Sequence, residues 1–135
     1  MTDAQHADEQ AVERTVRAIY DAIEHVDAER LDAHFSRDSV FAFGRRRDSR
    51  HDDWATLSAE HVEEFQQLAR IEITSAELRV RVLGDVAWVS DRIHQRVEAK
   101  AGQVFESDAR QTLVLKREAE GADWLVVQFH ASAGL

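Results

Sequence analysis

The chain contains no cysteine and no proline, and only five glycines. Without cysteine there is no disulfide framework and no thiolate metal site. Without proline, element ends must come from caps, turns and glycine rather than from an obligatory break. Lysine is nearly absent too, since 15 of the 17 bases are arginine. No apolar run approaches the roughly 20 residues that cross a bilayer as a helix. The opening MTDAQHADEQ is polar and acidic, the reverse of a secretion signal with its basic and apolar regions. A cytoplasmic protein with no membrane partner is the expectation.

What the chain does have is acid. Its 26 acidic residues against 17 bases give a formal net charge of −9, which repels nucleic acid on average. The one basic cluster, Arg45–Arg47 with Arg50, has no interleaved aromatics and is flanked by Asp48, Asp52 and Asp53. No nucleic-acid partner is expected. A length of 135 residues suits one domain over residues 1–135, with residues 1–8 expected to be flexible.

Val12, Val16, Ile19, Ile23 and Val26 recur at helical spacing, so residues 9–26 read as an amphipathic helix with Asp8 as its N-cap. Asp27 is the expected cap of a short helix holding Leu31 and Phe35. Val40, Phe41 and Phe43 suggest a short strand ending at Gly44, and residues 45–51 read as loop. Ser58 is the expected cap of a third helix that buries Val62, Phe65 and Leu68.

From Ile71 the period becomes two: Leu78, Val80 and Val82 alternate with Glu77, Arg79 and Arg81, a half-buried strand. Turn signals at Gly84-Asp85, Ala101-Gly102 and residues 118–122 separate further strands over 86–97, 104–116 and 124–131. Helices first and hairpin-linked strands after them imply an α+β fold, with helices on one face of an antiparallel sheet. Residues 113–115 and 125–127 are apolar on both faces. Three short helices cover only one face, so a homo-oligomer, a homodimer first, is expected to cover the other.

Three stretches in this order resemble the SnoaL-like, nuclear-transport-factor-2-like superfamily. They are Asp27 to Leu31 followed by His34 to Val40, then Gly84 to Val89, then Arg110 to Arg117 leading into Trp124 to Ser132. The last, with its tryptophan and its His130-x-Ser132 ending, is also similar to the association domain of calcium/calmodulin-dependent protein kinase. The resemblance implies a cone-shaped barrel: N-terminal helices over a strongly curved antiparallel sheet, with a cavity between them. It does not fix a function, because such folds host isomerases, cyclases, dehydratases and non-catalytic assembly domains.

Isomerase-like members of the superfamily carry a general-base aspartate where Phe43 stands here, and a phenyl ring accepts no proton. Their tyrosine donor falls nearest Ile19, one residue from Tyr20. The ketosteroid isomerase mechanism is therefore not expected. In the kinase association domain an arginine lines an anion-accepting pocket; it aligns with Thr112, on the strand face that Arg110 shares.

Two readings follow. In the first, a small, partly apolar and anionic molecule binds in the cone. Arg110 holds the anion by a two-point fork, Tyr20 and Gln128 supply polar contacts, and Trp54 and Phe43 line the wall. If the domain is catalytic, it belongs to the cofactor-independent acid–base type that isomerises, cyclises or dehydrates, and His130 is the proton carrier. Arg92, with Trp88 and His94, is expected on the face away from the cavity. In the second reading the domain is a non-catalytic assembly module. No histidine spacing matches a metal site and no phosphate loop or nucleophile elbow occurs, so neither metal nor cofactor is expected. His51-Asp52-Asp53 reads as a solvated loop triplet.

Overall fold

In the computed structural model, which describes residues 2–44 and 48–133, the first apolar stripe forms α1 (Asp3–Glu24). Val12, Val16, Ile19 and Ala22 are buried along it. The helix starts earlier than its apolar pattern, because Thr2 and Gln5 form a reciprocal capping box that satisfies two orphan N–H groups. Asp8, the expected cap, lies inside the helix and pairs instead with Arg117. Residues 3–8, expected to be flexible, are helical. Val26 falls past the helix end at φ 53°, in the left-handed region. The turn there closes through the Val26 and Asp27 N–H groups onto the Ile23 and Ala22 carbonyls.

Asp27 caps α2 (Ala28–Asp32) by accepting from the Arg30 N–H. The third helix, α3 (Trp54–Phe65), is capped by Asp53 and not by Ser58. Its buried side is centred on Leu57, while Val62 is 44% exposed and Leu68 belongs to the next strand. The shift has a polar cause: Ser58 and His61 both turn toward Asp32 of α2.

Among the described residues seven strands form one sheet: β1 (Phe41–Phe43), β2 (Arg50–His51), β3 (Leu68–Ser75), β4 (Arg79–Leu83), β5 (Val86–Ala99), β6 (Val104–Lys116) and β7 (Leu125–Ala133). Their order is β2-β1-β7-β6-β5-β3, with β4 sharing the β5 edge with β3. The long strands form the expected antiparallel meander. The sheet as a whole is mixed and not closed, because β1 runs parallel to β7, placing Phe41 opposite Gln128 and Phe43 opposite His130. Register shifts at Leu68/Arg70 and Val114/Leu115, together with the break between β3 and β4, bend the sheet, since a bulge increases local twist.

Alternation holds along the strands. Val80, Val82, Ala87, Val89, Ile93, Leu113, Leu115 and Val126 join the core under α1, while Arg79, Arg81, Trp88 and Arg92 face away from it. The architecture is α+β, as expected. Among the described residues no helix is long and apolar enough to cross a membrane.

Candidate functional site

On the helix-free face of the sheet the ladder sets polar side chains in rows. Arg92 of β5 stands directly opposite Arg110 of β6, and Arg110 opposite Ser132 of β7. The next row reads Arg79, Ser90, Thr112, His130 and Phe43 across β4, β5, β6, β7 and β1. All of these residues except Phe43 line a groove of about 390 Å³, together with Glu77, Asp91 and Gln111. Like charges directly opposite each other destabilise a sheet, so the Arg92–Arg110 pair needs a counter-charge.

Among the described residues that counter-charge is missing. Arg17, Arg30, Arg50, Arg70, Arg96 and Arg117 each pair with a carboxylate. Arg79, Arg92 and Arg110 do not, and outside the groove Arg14, Arg37 and Arg81 have no such pair either, in a chain with nine more acids than bases. The phenyl ring of Phe43 meets the His130 imidazole edge-on at 5.8 Å between centroids, which fixes the ring at the rim of the groove. Gln128 stands two residues before His130 on the same strand face, opposite Val114.

The other face of the same strands carries a buried polar cluster. Tyr20 of α1 donates its hydroxyl proton to Asp91 Oδ2 at 2.7 Å and accepts from Gln111 Nε2 at 2.6 Å. Asp91 also accepts from the Ser75 hydroxyl at 2.7 Å and from the Glu77 N–H at 3.1 Å. Burial, and then the bond to Asp91, push the Tyr20 pKa far up, so the phenol keeps its proton at all physiological pH values. With both Asp91 oxygens and the Tyr20 hydroxyl engaged, this cluster fixes α1 on the sheet.

A third cluster joins α2 to α3. Asp32, 5% exposed, accepts from Ser58 Oγ at 2.7 Å and bonds His61 Nδ1 at 2.6 Å. Its backbone carbonyl accepts from Trp54 Nε1 at 3.1 Å, and the Arg37 guanidinium lies 4.0 Å from the Trp54 ring centre. The triplet at residues 51–53 is engaged as well: His51 pairs with Glu60, Asp52 with Arg50, and Asp53 caps α3.

The structure thus divides the six residues singled out from the sequence. Arg110 and His130 line the groove, Phe43 touches His130, and Gln128 shares their face. Tyr20 lies on the opposite face and Trp54 at α3, and neither borders the groove. Arg110 and His130 do not point beneath the helices, because register puts them on the same side as Arg92, the residue expected outside the cavity. Sequence reasoning missed Asp91, Gln111 and the Asp32–His61 pair. Parity held a signal for the first two, since Asp91 and Gln111 interrupt the inward apolar series Val89, Ile93 and Leu113.

Two histidines should titrate on opposite sides of the ordinary value. The carboxylates of Asp108 and then Glu106, hydrogen-bonded to His94, raise its pKa above 6.5. Burial, and then Arg30, lower that of His34 below 6.5. His94 therefore stabilises the fold below pH 6.5 and loses that contribution as pH rises through its higher folded value. His34 works in the other sense: it disfavours the fold at acid pH, and this penalty lifts as pH rises toward 6.5. An NMR titration of the imidazole resonances tests the order, and His34 titrating above His94 would refute it.

No curated protein is a recognisable relative of this chain. Solved structures resemble it in fold. One is a proposed dehydratase of the NTF2-like family from Streptomyces avermitilis, 18% identical, with a TM-score of 0.84 over 96% of this chain and 98% of the other. An NTF2-like protein of unknown function from Pseudomonas putida is 19% identical, with a TM-score of 0.81 over 96% and 89%. A proposed calcium/calmodulin-dependent protein kinase II association domain from Xanthomonas campestris is 15% identical, with a TM-score of 0.78 over 91% and 85%. Identities this low speak for shared fold alone. The family model of the SnoaL-like domain matches residues 12–135, and with the bent, open sheet and helices already described, the chain belongs to the SnoaL-like domain family.

Proposed function

We propose that this SnoaL-like domain binds a small anionic, partly apolar molecule on the helix-free face of its sheet. One observation carries the reading: Arg79, Arg92 and Arg110 converge on one groove without a carboxylate partner. An arginine fork binds an oxyanion through charge-assisted hydrogen bonds, and an incoming anion would relieve the repulsion between Arg92 and Arg110. Thr112, Ser132 and His130 complete a polar floor, and Phe43 supports the His130 ring. Should the domain turn its ligand over, His130 is the group at hand for acid–base proton transfer, in a cofactor-independent isomerisation, cyclisation or dehydration.

The test is a thermal-shift screen of small anions at low ionic strength, followed by calorimetry on each hit. Arg110→Ala is expected to weaken binding roughly 10- to 100-fold, the cost of one charged hydrogen-bonding group. A screen without a hit, or a hit bound equally by Arg110→Ala and Arg92→Ala proteins, would sink the reading.

A second reading is self-association through the apolar part of the same face. Trp88 and Phe43 are 49% exposed, Phe41 51% and Val86 41%, all beside the cationic rows. The resemblance to an association domain agrees with it. Sedimentation velocity at micromolar concentration is expected to show a homodimer that Trp88→Glu converts to monomer. A wild-type protein that sediments as a monomer rules this reading out.

A further inference from the structure

We infer that the groove is built for the tetrahedral dianion of a small phosphate monoester, with the organic part of the ligand directed toward Trp88. This deepens the anion-binding reading and rests on it. The argument starts from charge. Three arginines line the groove against Glu77 and Asp91, and Asp91 is held on the buried face by three donors, so the groove keeps an excess of one positive charge that favours an anion.

Donor geometry points the same way. Arg92 and Arg110 face each other on neighbouring strands, with Cα atoms ~4.5–5.5 Å apart. A planar carboxylate has two oxygens with about four acceptor sites in one plane, fewer than the donors that two forks and three hydroxyls bring together. A tetrahedral phosphoryl group presents separate pairs of oxygens on different sides and accepts from both forks at once. The hydroxyls of Ser90, Thr112 and Ser132 stand in the same and adjoining rows. They add donors beyond what one carboxylate accepts. Of the two carboxylates among the described lining residues, Asp91 is engaged on the buried face and Glu77 stands at the break between β3 and β4.

The organic part follows from the next row. Beyond Ser90 and Thr112 on the same face stand Trp88 and Val114, opposite each other, and Trp88 is 49% exposed. Trp88 lies two rows from Arg92, ~13 Å along the strand, and one row, ~7 Å, from Ser90, so a ring reaches it from a phosphoryl group seated between the arginine row and the Ser90–Thr112 row. On the other side of the arginine row the face turns acidic: His94 bonds Asp108 and Glu106. A substituent is therefore steered toward the indole and away from these carboxylates.

Three probes separate the outcomes: phenyl phosphate, inorganic phosphate and benzoate, titrated at pH 8 and low salt by calorimetry and Trp88 fluorescence. At that pH the phosphates are dianions. Phenyl phosphate is expected to bind at least ten times more tightly than benzoate. Arg92→Ala and Arg92→Lys should each weaken it by tenfold or more, since lysine keeps the charge but loses the fork. Trp88→Ala should weaken phenyl phosphate several-fold and leave inorganic phosphate unchanged. Benzoate binding as tightly as phenyl phosphate would overturn the phosphate assignment while leaving the anion-binding reading in place. Equal affinity for both phosphates, with a neutral Trp88→Ala, would reduce the ligand to free phosphate and overturn the monoester. Failure of all three probes would remove both proposals.

Discussion

Replacing Asp91 with alanine is expected to cost about 3–5 kcal/mol of unfolding free energy, a large part of the stability of a domain this size. Asp91 is 4% exposed and accepts from three donors: the Tyr20 hydroxyl, the Ser75 hydroxyl and the Glu77 N–H. Alanine leaves the buried Tyr20 hydroxyl and the half-buried Ser75 hydroxyl and Glu77 N–H without this partner, and a stranded buried donor costs about 1–3 kcal/mol. Gln111 loses less, because it still donates to the Tyr20 oxygen. Asp91→Asn keeps the shape but offers an N–H₂ where a donor already points, and should cost about 1–3 kcal/mol. Tyr20→Phe removes one link from the chain and belongs at the lower end of that range. Equilibrium urea unfolding followed by circular dichroism reads all three. A loss below about 1 kcal/mol for Asp91→Ala would mean that water satisfies the cluster and that it does not hold α1 to the sheet.

Parity along a strand was legible in the sequence, and pairing between strands was not. Val80 and Val82 inward and Arg79 and Arg81 outward follow from a period of two, while Arg92 away from the core follows from the family resemblance at Ala87 and Val89. Yet Arg110 was assigned to the cavity and Arg92 to the outside, although the ladder makes them neighbours. Register across a hairpin decides that, and a shift of one residue reverses every side chain. Asp91 looks ordinary between Ser90 and Arg92, and only the meeting with Tyr20, 71 positions away, makes it a structural centre. The parallel β1–β7 pairing left no local trace, because two short apolar segments far apart carry no turn signal. The α3 cap was misplaced for a chemical reason. Ser58 has the right side chain for a cap, but Asp53 sits one residue before Trp54 and catches the Thr56 N–H at 2.8 Å. The groove was half visible: Arg110 and His130 came from family resemblance, while the unpaired arginine opposite Arg110 appeared only with the register.

Arg117 carries the second large effect. The sequence places it at the end of a strand, where a solvated arginine is the ordinary outcome, yet its side chain is 9% exposed. Nη1 and Nη2 fork onto Asp8 of α1 at 2.8 and 3.1 Å, and Nε donates to Asp85 at 2.9 Å. Nη2 also reaches the Gly84 carbonyl at 3.3 Å, and the guanidinium lies 4.7 Å from the Trp124 ring centre. One side chain thus ties the first turns of α1 to the β4–β5 turn and to the start of β7. Arg117→Ala leaves Asp8 and Asp85 facing each other without a cation and uncovers the indole. The expected loss is about 2–4 kcal/mol, below the full cost of breaking a buried pair because Asp85 is half-exposed and partly screened by solvent. Arg117→Lys restores the charge but cannot make the fork, the Nε bond and the stacking together, so it should recover less than half of that loss. Hydrogen exchange separates this local lock from a general weakening. Protection should fall first in residues 6–12 and around Gly84, while the β5–β6 ladder keeps its protection until global unfolding. Uniform loss across the sheet, or a lysine variant as stable as wild type, would show that charge alone holds α1 in place.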